Sequence, residues 1–188
     1  MSEFDIALSV ALGVGLAAAS GLRIFLPMLV VSAAAYTGHL PLADSLAWLG
    51  TPAALILLGV ASLVEILAYY IPGVDNLLDT LATPAALVAG TVVSAAVITD
   101  LPPMVKWAAA IIAGGGIAGT IHVFTGATRL TSTATTGGLG NPAMSTAEAG
   151  GALGVSVLAI AAPILGVLLA LLLVYVAVRT LSRRRLRR

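Results

Sequence analysis

Five ionisable side chains interrupt the apolar runs of this chain: Arg23, Glu65, His122, Arg129 and Glu148. A charge inside an apolar segment is costly, so such groups pair with one another or serve a function. The arginines would suit an anion, because a guanidinium beside a helix break adds forked donors to the free backbone N–H groups there. His122 precedes Arg129 by two helical turns, which puts both on one face. It reads as a proton relay or, more commonly for such a residue, as a packed core histidine. Thr125 and Thr128 lie on the same stretch and would add hydroxyls to a polar site. Glu148 closes a capping box, Ser145-Thr146-Ala147-Glu148, and capping is the favoured reading for it. The structural alternative to a ligand site is pairing of Arg23 with Glu65 and of Arg129 with Glu148.

Asp75 and Asp79 are one helical turn apart and would share a face, where paired carboxylates can hold a cation. Asp75 also follows Pro72-Gly73, the place of an N-cap, which is the simpler reading. The chain has no cysteine, and no zinc motif, phosphate loop or nucleophile triad stands out. Gly114-Gly115-Gly116 lies inside an apolar run rather than between a strand and a helix, so it is no dinucleotide fingerprint. No metal, cofactor or catalytic residue is therefore assigned.

The elements that must position these groups are membrane helices. Hydrophobic residues make up 60% of the 188, charged residues 9%, and mean hydropathy is +1.10. Soluble domains carry about 25% charged residues, and disordered chains are poorer still in apolar ones. The expected fold is an all-α integral membrane protein. A span takes about 20 apolar residues, and six apolar segments can be drawn: 4–37, 51–71, 83–99, 104–130, 145–162 and 163–181. Thr51-Pro52 and Thr83-Pro84 read as capped helix starts. The first segment would reach about 50 Å as one helix against a hydrocarbon core of about 30 Å. It should instead be two half-helices or a kinked, re-entrant element, broken near Ser20-Gly21-Leu22-Arg23 and Pro27. Pro163 should break residues 145–181 in the same way. Residues 125–146, rich in serine and threonine around Gly137-Gly138-Leu139-Gly140-Asn141-Pro142, are expected to be irregular.

Each half of the chain presents a glycine-rich segment, an arginine, a glutamate and a proline-opened run. Arg23, Glu65 and Pro84 stand in one half, Arg129, Glu148 and Pro163 in the other. Two three-segment halves would form an inverted repeat, the design of many secondary transporters. Chance likeness between two alanine- and glycine-rich stretches explains the pattern equally well. The domain reading is one helical domain over 1–182, with repeat halves 1–100 and 101–182, and a basic tail over 183–188. Gly115 with Gly119, and Gly150 with Gly154, suit close helix crossings within the chain or in a homo-oligomer.

Six of the nine basic residues lie in the last ten positions, among them Arg183, Arg184, Arg185, Arg187 and Arg188. A basic cluster beside a span anchors its end in the cytoplasm and is attracted to anionic head groups. That reading is preferred to nucleic-acid binding. The acidic start, Met1-Ser2-Glu3-Phe4-Asp5, lacks the positive region of a secretory signal, so the first segment is expected to be retained. Charge counts leave the N-terminus on either side.

Ser20-Gly21-Leu22-Arg23-Ile24-Phe25-Leu26-Pro27, Ile71-Pro72-Gly73-Val74-Asp75, His122 with Thr128-Arg129, and Asn141-Pro142 with Ser145 and Glu148 form an ordered set. In that set the chain resembles a family of small bacterial membrane proteins catalogued as a domain of unknown function, number four thousand one hundred and twenty-six. The resemblance covers nearly the whole chain. It implies a multi-span fold in a bacterial plasma membrane and supplies no activity. In similar sequences an acidic residue often follows the match to Glu148 and a lysine often precedes the turn; here Ala149 and Tyr69-Tyr70 stand in those places.

The leading expectation is a transporter- or channel-like protein for a small solute, ion or lipid, with a polar site at broken helices. The second is a non-transporting scaffold whose buried charges are structural. The third is an intramembrane lipid-modifying enzyme, ranked last for want of a nucleophile paired with a base.

Overall fold

The computed structural model describes residues 3–71 and 74–185, and every regular element among them is helical. In chain order these are α1 (Glu3–Leu22), α2 (Phe25–Tyr36), a short 3₁₀ helix (Asp44–Gly50), α3 (Pro52–Ala68) and α4 (Val74–Val97). Next come α5 (Pro103–Ala109), a π-helical stretch (Ala110–Gly115), α6 (Gly116–Thr136), α7 (Asn141–Ala161) and α8 (Pro163–Arg185).

Among the described residues four helices are long and apolar enough to cross a bilayer: Phe4–Leu22, Pro103–Thr136, Asn141–Ala161 and Pro163–Arg183. A fifth span is obtained if the 3₁₀ helix and α3, bent by 68°, count as one. Phe25–Tyr36 and Leu81–Val97 are shorter apolar helices. The outer surface of the bundle carries exposed Ile56, Leu63 and Leu67 on α3 and Leu168, Leu171 and Leu172 on α8. Apolar faces of that extent are a liability in water and a match for lipid, and they point to a membrane-spanning chain.

Cross-helix contacts fix the directions. Gly13 meets Ser94, and Ile24 clusters with Ala82, so α1 and α4 are antiparallel. Gly114 meets Ser94, and Gly126 faces Asp79, so α6 is antiparallel to α4 and parallel to α1. Gly15 meets Ala159 while Gly151 meets Leu22, which makes α7 antiparallel to α1. Gly15 also meets Gly166, and Ala18 and Ala19 cluster with Ala170, so α8 runs parallel to α1. The N-terminal end of α1 and the C-terminal end of α8 therefore lie on opposite sides of the bundle. The parallel course of α1 and α6 is also not the relation an inverted repeat imposes on its corresponding helices.

The break in the first segment falls after Leu22. Pro27 has no N–H to give the carbonyl of Arg23, the bond a continuous helix would make there. The chain turns back, and Val31 of α2 joins the cluster of Leu12 and Leu16. Away from this break the helices approach one another closely through small residues. A Cβ on Gly114 would stand 2.7 Å from the Gly90 carbonyl oxygen, a contact no other residue type could accept.

Several expected boundaries differ. Thr51 caps α3, accepting the Ala54 N–H at 3.2 Å. Thr83-Pro84 opens nothing: α4 starts at Val74 and carries Pro84 in its interior, and the Thr83 hydroxyl donates to the Asp79 carbonyl at 3.1 Å. The hydroxyl-rich stretch is helical as far as Thr136, because its threonines satisfy themselves on their own helix, as Thr131 and Thr135 do on the carbonyls one turn back. Gly137 and Gly138, at φ +64° and +90°, then form the left-handed stop. Pro163 marks a reversal between two full-length helices rather than a break between halves. The turn at Pro72-Gly73 and the arginines Arg187 and Arg188 lie outside the described residues. Helix α8 runs on to Arg185, past the start of the basic tail.

Candidate functional site

The ends of α1 and α3, the starts of α4 and α7, and the lower part of α6 meet at the side where α8 finishes. Arg23 follows α1 and Arg129 comes from α6, each with only 1% of its surface exposed. Arg129 donates through Nη1 to Asp79 Oδ1 and through Nη2 to Glu148 Oε2. Arg23 Nη2 lies 3.4 Å from the same Glu148 oxygen and donates to the Ser145 hydroxyl at 2.5 Å and its carbonyl at 3.1 Å. One carboxylate oxygen thus bridges two guanidinium groups.

Tyr69, directly after α3, stands among these groups. Its ring centroid is 4.1 Å from the Arg23 guanidinium carbon and 4.3 Å from that of Arg129. An aromatic face attracts cations, so the ring keeps the two positive groups in place. The phenol donates to Asp79 Oδ1 at 3.1 Å. Glu65 performs a different task. Its two oxygens accept the N–H groups of Ile24 (2.8 Å) and Phe25 (3.0 Å), and so cap the broken junction from another helix. The α2 N-terminus, with its partial positive charge, favours that carboxylate.

The structure therefore brings together Arg23, Arg129, Glu148, Glu65 and, at the margin, His122, but with other pairings than spacing suggested. Arg23 meets Glu148 rather than Glu65. Glu148 caps nothing, because α7 begins at Asn141 and Glu148 lies two turns inside it. The buried Thr125 and half-buried Thr128 donate to backbone carbonyls of α6, those of His122 and Thr125, and do not enter the ionic network. Asp79 serves as a counter-ion to Arg129 rather than half of a cation pair; nothing is described of the Asp75 side chain. Among the described residues no group of three histidine or carboxylate side chains converges as a metal ligand set. Arg183 is exposed at the end of α8, and the side chains of Arg184 and Arg185 are outside the description.

Tyr69 and Ser145 are the members that spacing did not mark for this site. Tyr69 looks like a common interfacial aromatic, and only the approach of two arginines from distant segments gives it a role. Several buried polar atoms of the network have no protein partner: Nε and Nη1 of Arg23, Nε of Arg129, Oε1 of Glu148, Oδ2 of Asp79 and both ring nitrogens of His122. Buried polar atoms are nearly always paired with protein, water or a ligand.

Two clefts flank the network. A mostly apolar groove of about 430 Å³ opens between α3 and α4, with Glu65 and Tyr69 in its wall among Val64, Ala68 and Leu78. A smaller pocket of about 270 Å³ lies between α4 and α6, lined by Asp79, Thr83, His122 and Gly126. The Tyr69–Asp79 hydrogen bond joins the wall of one to the wall of the other.

The family model described as Domain of unknown function (DUF4126) matches residues 10–183, and the chain belongs to that family. No curated protein and no solved structure matches it.

Proposed function

We propose that this member of the family is a transporter- or channel-like protein that handles a small polar or charged solute at the buried ionic network. One observation carries this reading: ionisable side chains from distant helices meet beside a helix break, with donors and acceptors left unpaired at their edge. Fixed donors of this kind can replace the water shell of a solute that enters. Two clefts reach the network from different sides, whereas on the other side of the break Gly90 and Gly114 bring α4 and the π-helical stretch into close contact. In this reading the conformation is one in which the site communicates with the side of the basic tail, which the positive-inside tendency makes cytoplasmic. A bacterial plasma membrane and the bilayer itself are the setting, with a homo-oligomer the expected assembly.

A structural role for the same charges is the competing reading, and a specific observation favours it: both arginines are closed in by carboxylates, serine and tyrosine. Liposome reconstitution with a panel of small anions, cations and zwitterions separates the two. Flux in the wild type that Arg23→Gln and Arg129→Gln abolish, in protein that still folds, supports transport. No flux and no binding by the wild type, with the variants merely less stable, leaves the scaffold.

A further inference from the structure

The groove between α3 and α4 differs in chemistry from the pocket between α4 and α6. Glu65 and Tyr69 are its polar side chains, and both are already satisfied. The two Glu65 oxygens accept backbone N–H groups, and the Tyr69 hydroxyl donates to Asp79. The α4–α6 pocket instead holds Asp79 and His122, each with unpartnered atoms. A polar solute would find no vacant side-chain donor or acceptor in the groove, whose other lining side chains are apolar. The groove is also long and open on one side. It follows α3 from Leu57 to Tyr69, about 18 Å at 1.5 Å per residue, against about 15 Å for one leaflet of the hydrocarbon core. Its Tyr69 end lies at the ionic network, on the side where α8 finishes, so it runs inward along that leaflet. Helix α3 packs on α2 and the 3₁₀ helix, and α4 on α1 and α6; the Tyr69–Asp79 bond ties the two together at one end. Ala61 and Ala82 form the floor, while Leu57, Val60, Val64 and Leu81, each more than half exposed, stand along the rim.

We propose that this groove is a lipid site, filled by one acyl chain of a phospholipid from the leaflet on the side of the basic tail. A gap of about 430 Å³ within hydrocarbon forfeits the dispersion contacts of its lining, so the surrounding medium fills it. In a bilayer that medium is acyl chain, and the groove matches one in length, direction and polarity. A helix from a second copy fits it less well. Membrane helices approach one another through small residues on their surfaces, whereas here the alanines are sunk in the floor and the bulky side chains stand out along the rim. The small-residue pair Gly150 and Gly154 lies on α7 instead. The position of Glu65 and Tyr69 gives the chain a task. Lying over them, it keeps water from the bonds that cap the junction of α1 and α2 and from the bond that ties Tyr69 to Asp79. Such a lipid serves a transporter and a scaffold alike.

The test uses the full chain in nanodiscs of phosphatidylethanolamine and phosphatidylglycerol, doped with a phospholipid that carries a diazirine halfway along one acyl chain. Photolysis followed by peptide mass mapping locates the crosslinks. The expected result is labelling concentrated at Ala61, Val64 and Leu81, well above that of the comparably exposed Leu168, Leu171 and Leu172 on α8. Native mass spectrometry after detergent extraction should find one phospholipid held per chain. Ala61→Phe and Ala85→Phe, which fill the groove from either wall, should lower the retained fraction about tenfold, and Leu171→Phe should leave it unchanged. Labelling spread evenly over α3, α4 and α8 overturns the proposal. So does a free fatty acid retained in place of a phospholipid, or an unlabelled groove in which Val64→Cys chains cross-link to one another. The labelling of the wild type decides the matter even if a variant does not fold.

Discussion

The guanidinium carbon of Arg23 lies 4.1 Å from the centroid of the Tyr69 ring, although the two residues follow helices, α1 and α3, that are not neighbours in the chain. Arg129 lies against the same ring at 4.3 Å. Two like charges held at this depth need an attractive group between or beside them, and the ring provides it. Tyr69→Phe keeps the aromatic face and loses the bond to Asp79, costing about 1 kcal/mol. Tyr69→Leu also loses the cation–π contacts, each worth about 0.5–2 kcal/mol. Chemical unfolding in detergent should rank the variants wild type, Phe, Leu in falling stability; equal stability of the Phe and Leu forms would remove the ring from the account.

Glu65 is the cap of a helix it does not belong to. Glu65→Ala strands the N–H groups of Ile24 and Phe25, at about 1–3 kcal/mol for a buried donor. Glu65→Gln retains an acceptor oxygen and should fall between. Hydrogen exchange at Ile24 and Phe25 gives the local readout, with faster exchange in the alanine variant than in the glutamine one.

Arg129 binds two carboxylates, so Arg129→Gln leaves both Asp79 and Glu148 short of a partner. Removing one member of a buried pair costs about 3–5 kcal/mol. Glu148→Gln in the same chain removes one stranded charge, and the double variant should be more stable than the sum of the single effects predicts. A double-mutant cycle on thermal or denaturant unfolding checks the sign of the coupling.

Two glycines separate internal packing from outward packing. A Cβ on Gly90 would meet the Gly114 carbonyl oxygen at 2.7 Å, so Gly90→Ala should cost about 1–3 kcal/mol by overpacking. Gly154, on α7, has nothing within 4 Å. Gly154→Leu should leave monomer stability unchanged and, in a homo-oligomer built on the Gly150–Gly154 face, shift the mass measured in detergent toward monomer.

The antiparallel bundle places Leu139 and Met104, 86% and 87% exposed, at opposite ends. The natural chain has no cysteine, so Leu139→Cys and Met104→Cys each carry a single label site. With the basic tail cytoplasmic, an impermeant thiol reagent added outside intact cells should label Met104→Cys and spare Leu139→Cys.

What the sequence by itself determined was the class of protein and the cast of residues. The scarcity of charge pointed to a membrane setting, hydropathy drew most helices, Thr51-Pro52 marked the start of α3, and Pro27 after Arg23 marked the break. Those signals are local, set by the transfer free energy of a segment and by backbone chemistry within one turn. The tertiary structure decided the pairings. Glu148 fits a capping box by spacing and bonds Arg129 and Arg23 instead; Glu65 caps a junction 40 residues away; Tyr69 gains its role from two arginines on other helices. The same holds for Thr83-Pro84, a good helix start by spacing that lies in the interior of α4, where Ala82 and Ala86 on either side of it pack against Ile24. A buried charge must find an opposite charge, a dipole or an aromatic face, and which one it finds depends on which helix ends the bundle brings together.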